Sequence, residues 1–583
     1  MKRLLLCLAF LICHLSLSSV AAQGWPSKYG GVMLQGFYWD SYTDTNWANL
    51  ESQADEMSQY FDLIWVPNSA YANSLSMNMG YHPVYWFDHK SAFGTEAQLR
   101  SMIKTFKEKG TGIIEDVVIN HRASVDANWL HFPAETYKDR TYQLTAADIC
   151  QDDEANDQGY KPTGALDTGE GWGGARDLDH TGANVQKNVQ AYEDFLLNDL
   201  GYIGFRYDFV KGFAAKYVGM YNKAAGVKYS VGECWDGNKT VVTNWINGTK
   251  IDGVIQSAAF DFPMKYYINT AFSNNGSNWS ELNKAALSND PDYARYAVTF
   301  VDNHDTGRPG EIPLYANVEA ANAFILTMPG TPCLWLSHWK TYKTTLKRLI
   351  TIRKAVGITN ESAIITKEAK TNGYVLMTEG QKGNAVLLLG TLTEADLPSG
   401  NYKLALEGTN FKMYVSNTVD LSALDNITED TFIAPSFCVV NEGETCAFFE
   451  APKTWGSIIR CWAWDASNNY TGGNWPGVAC QQVGTNNGRK VWKWTYNGTL
   501  TSQPTAIIFN DGSNQTADLD FKNGGYYNEA GALQGVVTPA SIENVATDSQ
   551  RAEQHYDLQG RHIEAGSLKS GLYIVNGKKI IVR

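Results

Sequence analysis

Four short segments of the sequence combine acidic, imidazole and basic side chains at spacings that suit chemistry. Three of them supply an acid that a reaction could use: Asp208, Glu233 and Asp305. Two carboxyl groups can divide a reaction between them, because one can attack as an ionised nucleophile while the other transfers a proton. The segments are Asp116-Val-Val-Ile-Asn120-His121, Gly204-Phe-Arg206-Tyr-Asp208-Phe-Val-Lys211-Gly212, Val231-Gly-Glu233-Cys-Trp235 and Phe300-Val-Asp302-Asn303-His304-Asp305.

Each of these acids also has a purely structural explanation. A lone Asp or Glu that follows a strand is usually a helix cap or a solvated loop residue. Chemistry is favoured because four separate segments agree, and each comes at the end of an apolar run typical of a strand. Functional side chains of a parallel barrel sit at the carboxyl ends of its strands, so we expect the three acids to converge in one mouth.

The elements that must position these acids alternate between short apolar runs and amphipathic helical patterns. The apolar faces are nearly continuous, as expected of parallel strands that are covered on both sides. Eight such strands alternating with helices predict an α/β fold, the (β/α)8 TIM barrel. The predicted strands are 31–37, 62–68, 112–121, 201–209, 229–235, 254–262, 297–304 and 331–339, and helices are predicted at 96–109, 185–200 and 342–356.

The remaining sequence predicts several smaller units around this barrel. The segment between His121 and Asp177 is rich in Gly, Asp and Thr and is too long for an ordinary loop, which predicts a small domain inserted after strand three. Short strands with Gly, Asn and Thr turns predict β-sheet domains beyond the barrel. The predicted units are a barrel of 23–121 and 177–358, an insertion of 122–176, an antiparallel β-domain of 359–449, a Trp-rich β-sandwich of 452–535 and a tail of 548–583.

Taken together, the four segments resemble the signature regions of the α-amylase family of retaining glycoside hydrolases (family 13). Gln35-Gly-Phe-Tyr-Trp39, Gly80-Tyr81 and Asp177-Leu-Asp179 extend the similarity over most of the barrel, which resembles plant-type and related bacterial members. The resemblance implies endo-hydrolysis of internal α-1,4-glucosidic bonds in starch and maltooligosaccharides, with retention of anomeric configuration.

The resemblance also implies a role for each acid. Acetal hydrolysis passes through an oxocarbenium-like state, so a retaining enzyme needs a carboxylate nucleophile near a carboxylic acid. Asp208 is implied to be the nucleophile, Glu233 the general acid and then base, and Asp305 the group that holds ring hydroxyls. The pKa of Glu233 must be raised by burial or by neighbouring carboxylates if it is to stay protonated near neutrality.

Further residues are implied to bind the substrate. Arg206 lies two residues before Asp208 on the same strand face, where it can hold that carboxylate ionised. His121 and His304 are implied to hydrogen-bond the sugar and Tyr81 to stack beneath it, while Lys211 is a further expected substrate contact. Each histidine, taken alone, is more often a structural hydrogen-bonding residue.

A calcium site is implied beside the insertion. Asn120 and Asp177 offer hard oxygen ligands, which suit Ca²⁺ rather than zinc. In the family such an ion joins the insertion to the barrel, with help from a backbone carbonyl that corresponds to Gly212. Asp167 resembles a further ligand of plant-type members, although a turn residue is the alternative. Gly171 stands where those members often have another Asp, which leaves the number of ions open.

The Trp-rich segment predicts a starch-binding module. Trp462 and Trp464 have strand spacing and share one face, and with Trp475 they are the expected sugar-binding residues. Trp492 and Trp494 form a second such pair. The run Ile507-Ile-Phe-Asn510-Asp-Gly-Ser-Asn514-Gln515-Thr516, followed by Gly525-Tyr-Tyr527, resembles small starch-binding modules of bacterial amylases. The alternative is a structural β-sandwich whose aromatic pairs are core.

Charge and the two ends of the chain bear on partners and location. The net charge of −13 argues against nucleic acid as a partner. Lys2 and Arg3, an apolar run and Val20-Ala21-Ala22 predict a signal peptide over 1–22, hence a secreted, extracellular protein. No other segment is apolar enough to span a membrane. We expect the protein to be a monomer. The segment from Tyr556 to Arg583 resembles the sorting tails of a Gram-negative secretion system, so cell-surface association stays open.

Cysteine usage does not predict a disulfide scaffold. Of the nine cysteines, Cys7 and Cys13 lie in the predicted signal peptide, and an odd number remains. The only pairings worth considering are Cys438 with Cys446 and Cys461 with Cys480.

Two other functions stay open at this point. A transglycosylase or a maltogenic exo-acting enzyme of the same family would use the same catalytic residues. A non-catalytic starch-binding protein on the same barrel would need a damaged set of acids, whereas Asp208, Glu233 and Asp305 are all present.

Overall fold

A computed structural model provides the structure of the chain. It describes residues 24–582 except 44, 75–77, 157, 274–277, 309, 429–431, 433, 453–454, 487–488, 529–530, 532, 539–554, 557–561, 564–570 and 576–577. The predicted signal peptide therefore lies outside the described residues, as does most of the segment that precedes the tail.

The centre of the fold is a closed barrel of parallel strands, which confirms the predicted (β/α)8 architecture. Its strands are almost entirely buried because helices cover their outer faces and large side chains fill the interior. Inside the barrel the ring of Trp65 lies 5.3 Å from that of Phe260. The strands are β1 (Met33–Gln35), β2 (Leu63–Val66), β3 (Gly112–Val117), β4 (Gly204–Tyr207), β5 (Tyr229–Gly232), β6 (Ala258–Phe260), β7 (Ala297–Thr299) and β8 (Thr331–Trp335).

Helices follow the strands and surround the barrel. The helix after β2 begins at a capping box in which Thr95 and Gln98 satisfy each other's backbone N–H groups, and it buries Leu99, Met102 and Phe106 against the barrel. The helices are α1 (Trp47–Glu51), α2 (Ala54–Tyr60), α3 (Glu96–Glu108), α4 (Ala183–Asp194), α5 (Ala215–Ala225), α6 (Lys239–Gly248), α7 (Phe262–Phe272), α8 (Val318–Thr327), α9 (Leu336–Thr341) and α10 (Lys343–Val356).

The barrel strands are shorter than the apolar runs that predicted them. The run 331–339 was wrong as a single strand, because β8 ends at Trp335 and Trp339 lies in α9. Similarly, α4 passes into a π-helical turn over Phe195–Leu200 instead of continuing as an α-helix. Apolar residues beyond a strand end still pack into the same core, so hydrophobicity alone does not mark where a strand ends.

The segment after β3 forms small paired strands rather than a long loop. Glu135–Tyr137 pairs with Arg140–Tyr142, and His121–Arg122 pairs with Arg176–Asp177. The second pair joins the start of the segment to its end, next to the carboxyl end of β3. This geometry brings Asp177 beside Asn120 and His121.

Antiparallel sheets follow the barrel. The first has strands Ile364–Lys370, Gly373–Gly380, Gly383–Gly390, Tyr402–Gly408 and Phe411–Ser416. One of its faces belongs to the same hydrophobic core as the barrel, through residues such as Leu387 and Met413. The sheet therefore stabilises the barrel directly.

The Trp-rich segment forms two further sheets that share one hydrophobic core, and a second small core lies on the other face of the first sheet. The first contains Cys446–Glu450, Gln481–Asn486, Arg489–Thr495, Gly525–Tyr527 and Leu533–Val536, and the second contains Arg460–Trp464, Val478–Ala479, Ala506–Asn510 and Leu519–Asp520. The strand Cys446–Glu450 pairs on both sides within the first sheet. A module that begins at 452 would leave this strand behind, so the predicted start lies too late in the chain.

All the described cysteines are buried free thiols: Cys150, Cys234, Cys333, Cys438, Cys446, Cys461 and Cys480.

The C-terminal tail forms one antiparallel sheet. Its backbone strands are His555–Tyr556, His562–Ile563, Gly571–Val575 and Lys578–Val582. Within the described ranges, no helix is both long and apolar enough to cross a bilayer.

Candidate active site

The three acids lie at the carboxyl ends of three barrel strands. Asp208 and Glu233 come directly after β4 and β5. Asp305 lies in a turn beyond β7 in which the side chain of Asn303 accepts hydrogen bonds from the backbone N–H groups of Asp305 and Thr306. Barrel topology therefore brings together acids that are far apart in the sequence, as the strand-end argument predicted.

Arg206 on β4 links the acids directly. Its Nη1 lies 2.7 Å from Oδ1 of Asp208 and 2.7 Å from Oδ1 of Asp116, and its Nη2 lies 2.5 Å from Oε1 of Glu233. The guanidinium is buried and lies 4.9 Å over the ring of Trp65. One fixed cation thus contacts three carboxyl groups in the same mouth, two of which belong to the predicted catalytic acids.

The environment of Glu233 favours its protonated form. Burial raises the pKa of this carboxyl well above its ordinary value, the charges of Asp208 and Asp305 raise it further, and Arg206 opposes them. Its Oε2 accepts a hydrogen bond of 3.0 Å from the backbone N–H of Phe209. Phe209 has φ of 42°, in the left-handed region that costs a non-glycine residue energy. This strained residue aims its N–H at the acid.

Asp305 is held from two sides. Its Oδ1 lies 2.9 Å from Nη2 of Arg308, and its Oδ2 lies 3.2 Å from Nε2 of His304. Burial raises the pKa of Asp305 to about 6, while Arg308 and then Arg206 lower it. This acid therefore titrates close to the range in which an enzyme normally works.

An aromatic cluster borders the acids. Tyr81 OH lies 2.5 Å from Nε2 of His304 and donates to Oδ2 of Asp116 at 3.1 Å. The ring planes of Tyr81 and Trp39 are 9° from parallel. Burial lowers the pKa of His304 well below its ordinary value, so this imidazole is neutral. Tyr81 therefore lies among the acids, where the sugar ring of a bound substrate would stack on it.

His121 and Lys211 border the same mouth from the insertion side. His121 Nε2 lies 2.9 Å from the carbonyl oxygen of Tyr81, and burial lowers the pKa of this imidazole to about 4. The ring of Trp172 lies 4.2 Å from that of His121. Lys211 Nζ lies 2.9 Å from Glu170 Oε1 and 3.5 Å from Asp236 Oδ2.

The four predicted metal ligands gather beside β3. Asn120 Oδ1 and Asp167 Oδ2 are buried and accept no hydrogen bond from any described residue. Ligand atoms of Asp167, Asp177 and Cys150 lie within 4.8 Å of one another. A Cβ at Gly212 would lie 2.1 Å from Asn120 Oδ1, so only glycine allows the backbone this close.

This set of side chains fits a hard cation. Oxygen atoms buried without donors are stabilised by a cation, and carboxylate and amide oxygens are the ligands that Ca²⁺ prefers. The thiol of Cys150 would suit zinc only as a thiolate. Burial raises the pKa of that thiol far above its ordinary value, and the charges of Asp177 and Asp167 raise it further. The residues present therefore fit an oxygen-ligated ion.

The tryptophans of the module divide into exposed and buried groups. Trp475 is 49% exposed, and its ring lies 5.9 Å from that of the partly exposed Trp462. Trp464 is also partly exposed, because the buried Ala463 turns both of its neighbours outward. Trp492 and Trp494 are buried in the core of the module, so the second pair is structural. The same holds for Tyr526 and Tyr527, which are 2% and 1% exposed.

Sequence analysis assigned no role to four residues that shape the site. Asp116 supports Arg206 and Tyr81, but within an apolar strand segment its partners could not be identified. Trp39, Trp172 and Arg308 lie on loops whose mutual position depends on the whole barrel. The sequence signal was that Trp39 belongs to a recognised segment and that Arg308 follows Asp305 by three residues.

Comparisons with known proteins agree with this geometry. Residues 61–338 match the model of the α-amylase catalytic domain, and residues 447–521 match starch-binding module 26. The chain is 29% identical over 376 residues to probable alpha-amylase 2 of Arabidopsis thaliana, a match covering 60% of this chain and 86% of that protein. It is 28% identical over 445 residues to the glucan 1,4-alpha-maltotetraohydrolase of Stutzerimonas stutzeri, covering 69% and 77%.

The fold has a solved counterpart. The crystal structure of the α-amylase from Geobacillus thermoleovorans superposes with a TM-score of 0.50 at 15% identity, and covers 66% of this chain and 98% of that one. At this identity the likeness concerns the fold alone. The alpha-amylase type B isozyme of Hordeum vulgare is 32% identical over 123 residues, which cover 20% of this chain and 78% of that protein. Together with the two family matches, this shows that the chain belongs to the α-amylase family of glycoside hydrolases, with a C-terminal starch-binding module.

Proposed function

We propose that the protein is an α-amylase that hydrolyses internal α-1,4-glucosidic bonds of starch with retention of configuration. The main observation behind the proposal is that the guanidinium of Arg206 contacts both Asp208 and Glu233. A single side chain can reach two carboxyl groups only when they are close, and a retaining glycosidase needs its two carboxyl groups about 5–5.5 Å apart.

In the first step Glu233 donates its proton to the glycosidic oxygen while Asp208 attacks the anomeric carbon. The C–O bond to the leaving sugar breaks, and an ester forms between Asp208 and the remaining glucan. Because its pKa is raised, Glu233 is protonated near neutrality and can supply this proton. The ion pair of 2.7 Å with Arg206 holds the carboxylate of Asp208 in place for this attack.

In the second step Glu233, now ionised, removes a proton from a water molecule that attacks the same carbon. The ester bond breaks, Asp208 leaves as a carboxylate and the sugar is released with its original configuration. Asp305 and His304 hydrogen-bond the ring in the transition state. Tyr81 lies beneath it, while His121 and Lys211 contact neighbouring hydroxyls.

Calcium is the cofactor that we propose for the cluster beside β3. Asn120, Asp167, Asp177 and the carbonyl of Gly212 would hold it. Bound there, the ion would join the insertion to the barrel, next to His121, and it would take no part in bond breaking. Support comes from the buried oxygen atoms of Asn120 and Asp167.

We expect a chelator to lower the melting temperature of the barrel and added Ca²⁺ to restore it. A ligand bound only by the folded state stabilises that state, by about 2.7 kcal/mol at a concentration one hundred times its Kd. Differential scanning calorimetry of the full chain, with Asn120→Ala as a variant that should lose the response, measures this. An identical melting curve for chelated and calcium-loaded protein would contradict the site, as would rescue by zinc alone.

Exo-cleavage is the second candidate, because a maltotetraohydrolase is among the relatives of similar identity. An endo-acting enzyme shortens amylose quickly and releases maltooligosaccharides of many lengths. We expect this pattern in an early time course, with α-anomers first in proton NMR. A single short product with slow loss of iodine colour would favour exo-action, and β-anomers appearing first would contradict retention.

Export from the cell completes the proposal. Starch granules outside a cell cannot cross its membrane, so a protein that digests them has to be exported. The basic start and apolar run of residues 1–22 support secretion. N-terminal sequencing of the protein from culture medium would test this, and a protein kept inside the cell with an intact Met1 would contradict it.

A further inference from the structure

Arg308 lies at the mouth of the barrel, three residues after Asp305. Its Nη2 is 2.9 Å from Oδ1 of Asp305, and its Cζ lies 4.1 Å from the centre of the Trp39 ring. The side chain is 32% exposed. One face of the guanidinium therefore rests on an indole while one edge pairs with an acid of the site, which fixes its orientation.

We propose that Arg308 is a positioning residue for Asp305: it keeps the third carboxylate ionised and turned toward the substrate. This inference rests on the proposed role of Asp305 in holding ring hydroxyls. An ionised carboxylate accepts hydrogen bonds from two hydroxyls, whereas a protonated one must use one of its oxygens as a donor.

The charges around Asp305 explain why it needs this partner. The neighbouring carboxylates of Asp208 and Glu311 oppose its ionisation, and so does burial. His304 lies against the other oxygen but is neutral, so it adds no positive charge. Arg206 also favours ionisation, yet its guanidinium is committed to contacts with other acids of the site.

The remaining contacts of the Arg308 side chain do not show that it is needed to form the turn. Its Nε reaches the carbonyl oxygen of Asp305 only at 3.4 Å, and its backbone N–H donates to the same oxygen at 3.1 Å. The turn itself is held by Asn303, as described above. The backbone bond survives any side-chain substitution, so Arg308 is not required to form the turn.

Removing this charge should move the acidic limb of the pH profile. Asp305 must be ionised for activity, and its pKa of about 6 means that activity falls as the pH drops through that value. Without Arg308 the pKa rises, so the loss begins at higher pH. A close opposite charge lowers the pKa of an acid by about 1–3 units, and the partial exposure of this pair favours the smaller shift, about one pH unit.

The experiment compares Arg308→Gln and Arg308→Lys in the full chain. We measure kcat/KM for soluble maltoheptaose across the acidic and neutral range, because this ratio reports the ionisation of the free enzyme. Arg308→Gln should shift the acidic limb upward by about one pH unit, whereas Arg308→Lys keeps the charge and should leave the limb in place. Arg100→Gln is the matched control, because it breaks an arginine–carboxylate pair on α3 away from the site.

Each outcome decides the matter. An acidic limb that stays in place in Arg308→Gln, whatever its rate, overturns the inference, and equal shifts in the Gln and Lys variants do so as well. If Arg308→Gln melts early, the limb is measured below its melting temperature and Arg308→Lys provides the comparison. Asp305→Asn separates this inference from the proposed function: undiminished activity there would remove the role of Asp305 itself.

Discussion

Glu233→Gln is expected to reduce turnover by about 10²–10⁴-fold while substrate binding is retained. Glutamine keeps the shape of the side chain and can still accept from Phe209 N–H, but it has no proton to transfer to the leaving oxygen. Turnover on maltoheptaose by stopped assays, and binding of the same sugar by calorimetry, measure the two effects separately. Activity within a few-fold of the unchanged protein would remove Glu233 from its proposed role.

Glu193→Gln provides the matched control for this variant. Glu193 is also a buried glutamate whose pKa is raised by burial, to about 8, and it accepts a hydrogen bond from Tyr207 OH on the outer side of the barrel. A neutral glutamine can replace the protonated acid there. We therefore expect turnover to stay close to that of the unchanged protein, and a large loss would show that any buried glutamine disturbs the barrel.

Exchanges of tryptophans in the module should separate binding from folding. Trp462→Ala and Trp475→Ala should weaken binding to granular starch about tenfold each, because losing a stacked ring costs about 1–2 kcal/mol. Trp494→Ala should instead destabilise the module by about 3–5 kcal/mol, since it empties a buried site. Sedimentation with starch granules and thermal melting of the full chain measure the two effects.

Hydrolysis of short soluble sugars is the control for these exchanges. All three variants should keep their turnover on maltoheptaose, because the acids lie in the barrel. The exposed rings would be structural if Trp462→Ala and Trp475→Ala melted early and the folded fraction bound starch normally. A deletion variant of the module must begin before Cys446–Glu450, because a cut at 452 would leave a strand of its sheet behind.

The barrel and its acids could be predicted from the sequence because each signal was local. Runs of apolar residues mark the strands. An acid near the end of such a run still lies at the strand end when the strand is shorter than predicted, as Glu233 does directly after β5. The starch-binding module was likewise visible in its strand-spaced tryptophans. Which of these tryptophans were core could not be predicted, since Trp462 and Trp492 have the same spacing pattern and opposite exposure.

Contacts between distant loops could not be predicted from the sequence. Trp39 and Arg308 meet only because β1 and the turn after β7 open onto the same mouth. The position of Asp116 between Arg206 and Tyr81 likewise depends on strand register, in which Arg206 pairs with Asp116 across β3 and β4. Closed barrels have this property in general: neighbours in space are set by closure and shear rather than by chain order.

The separate cores of the Trp-rich module and the barrel bear on how the protein loses its structure when heated. A cooperative unit is a set of residues that share one packed interior, and this chain has the barrel core, joined by the sheet that follows it, beside the smaller cores of the module. We therefore expect the whole chain to unfold in more than one step, so that a single midpoint would not describe the process. A heat-treated sample can lose its binding to starch granules while hydrolysis survives, or the reverse. Thermal stability is therefore a property of each unit and not of the chain as a whole.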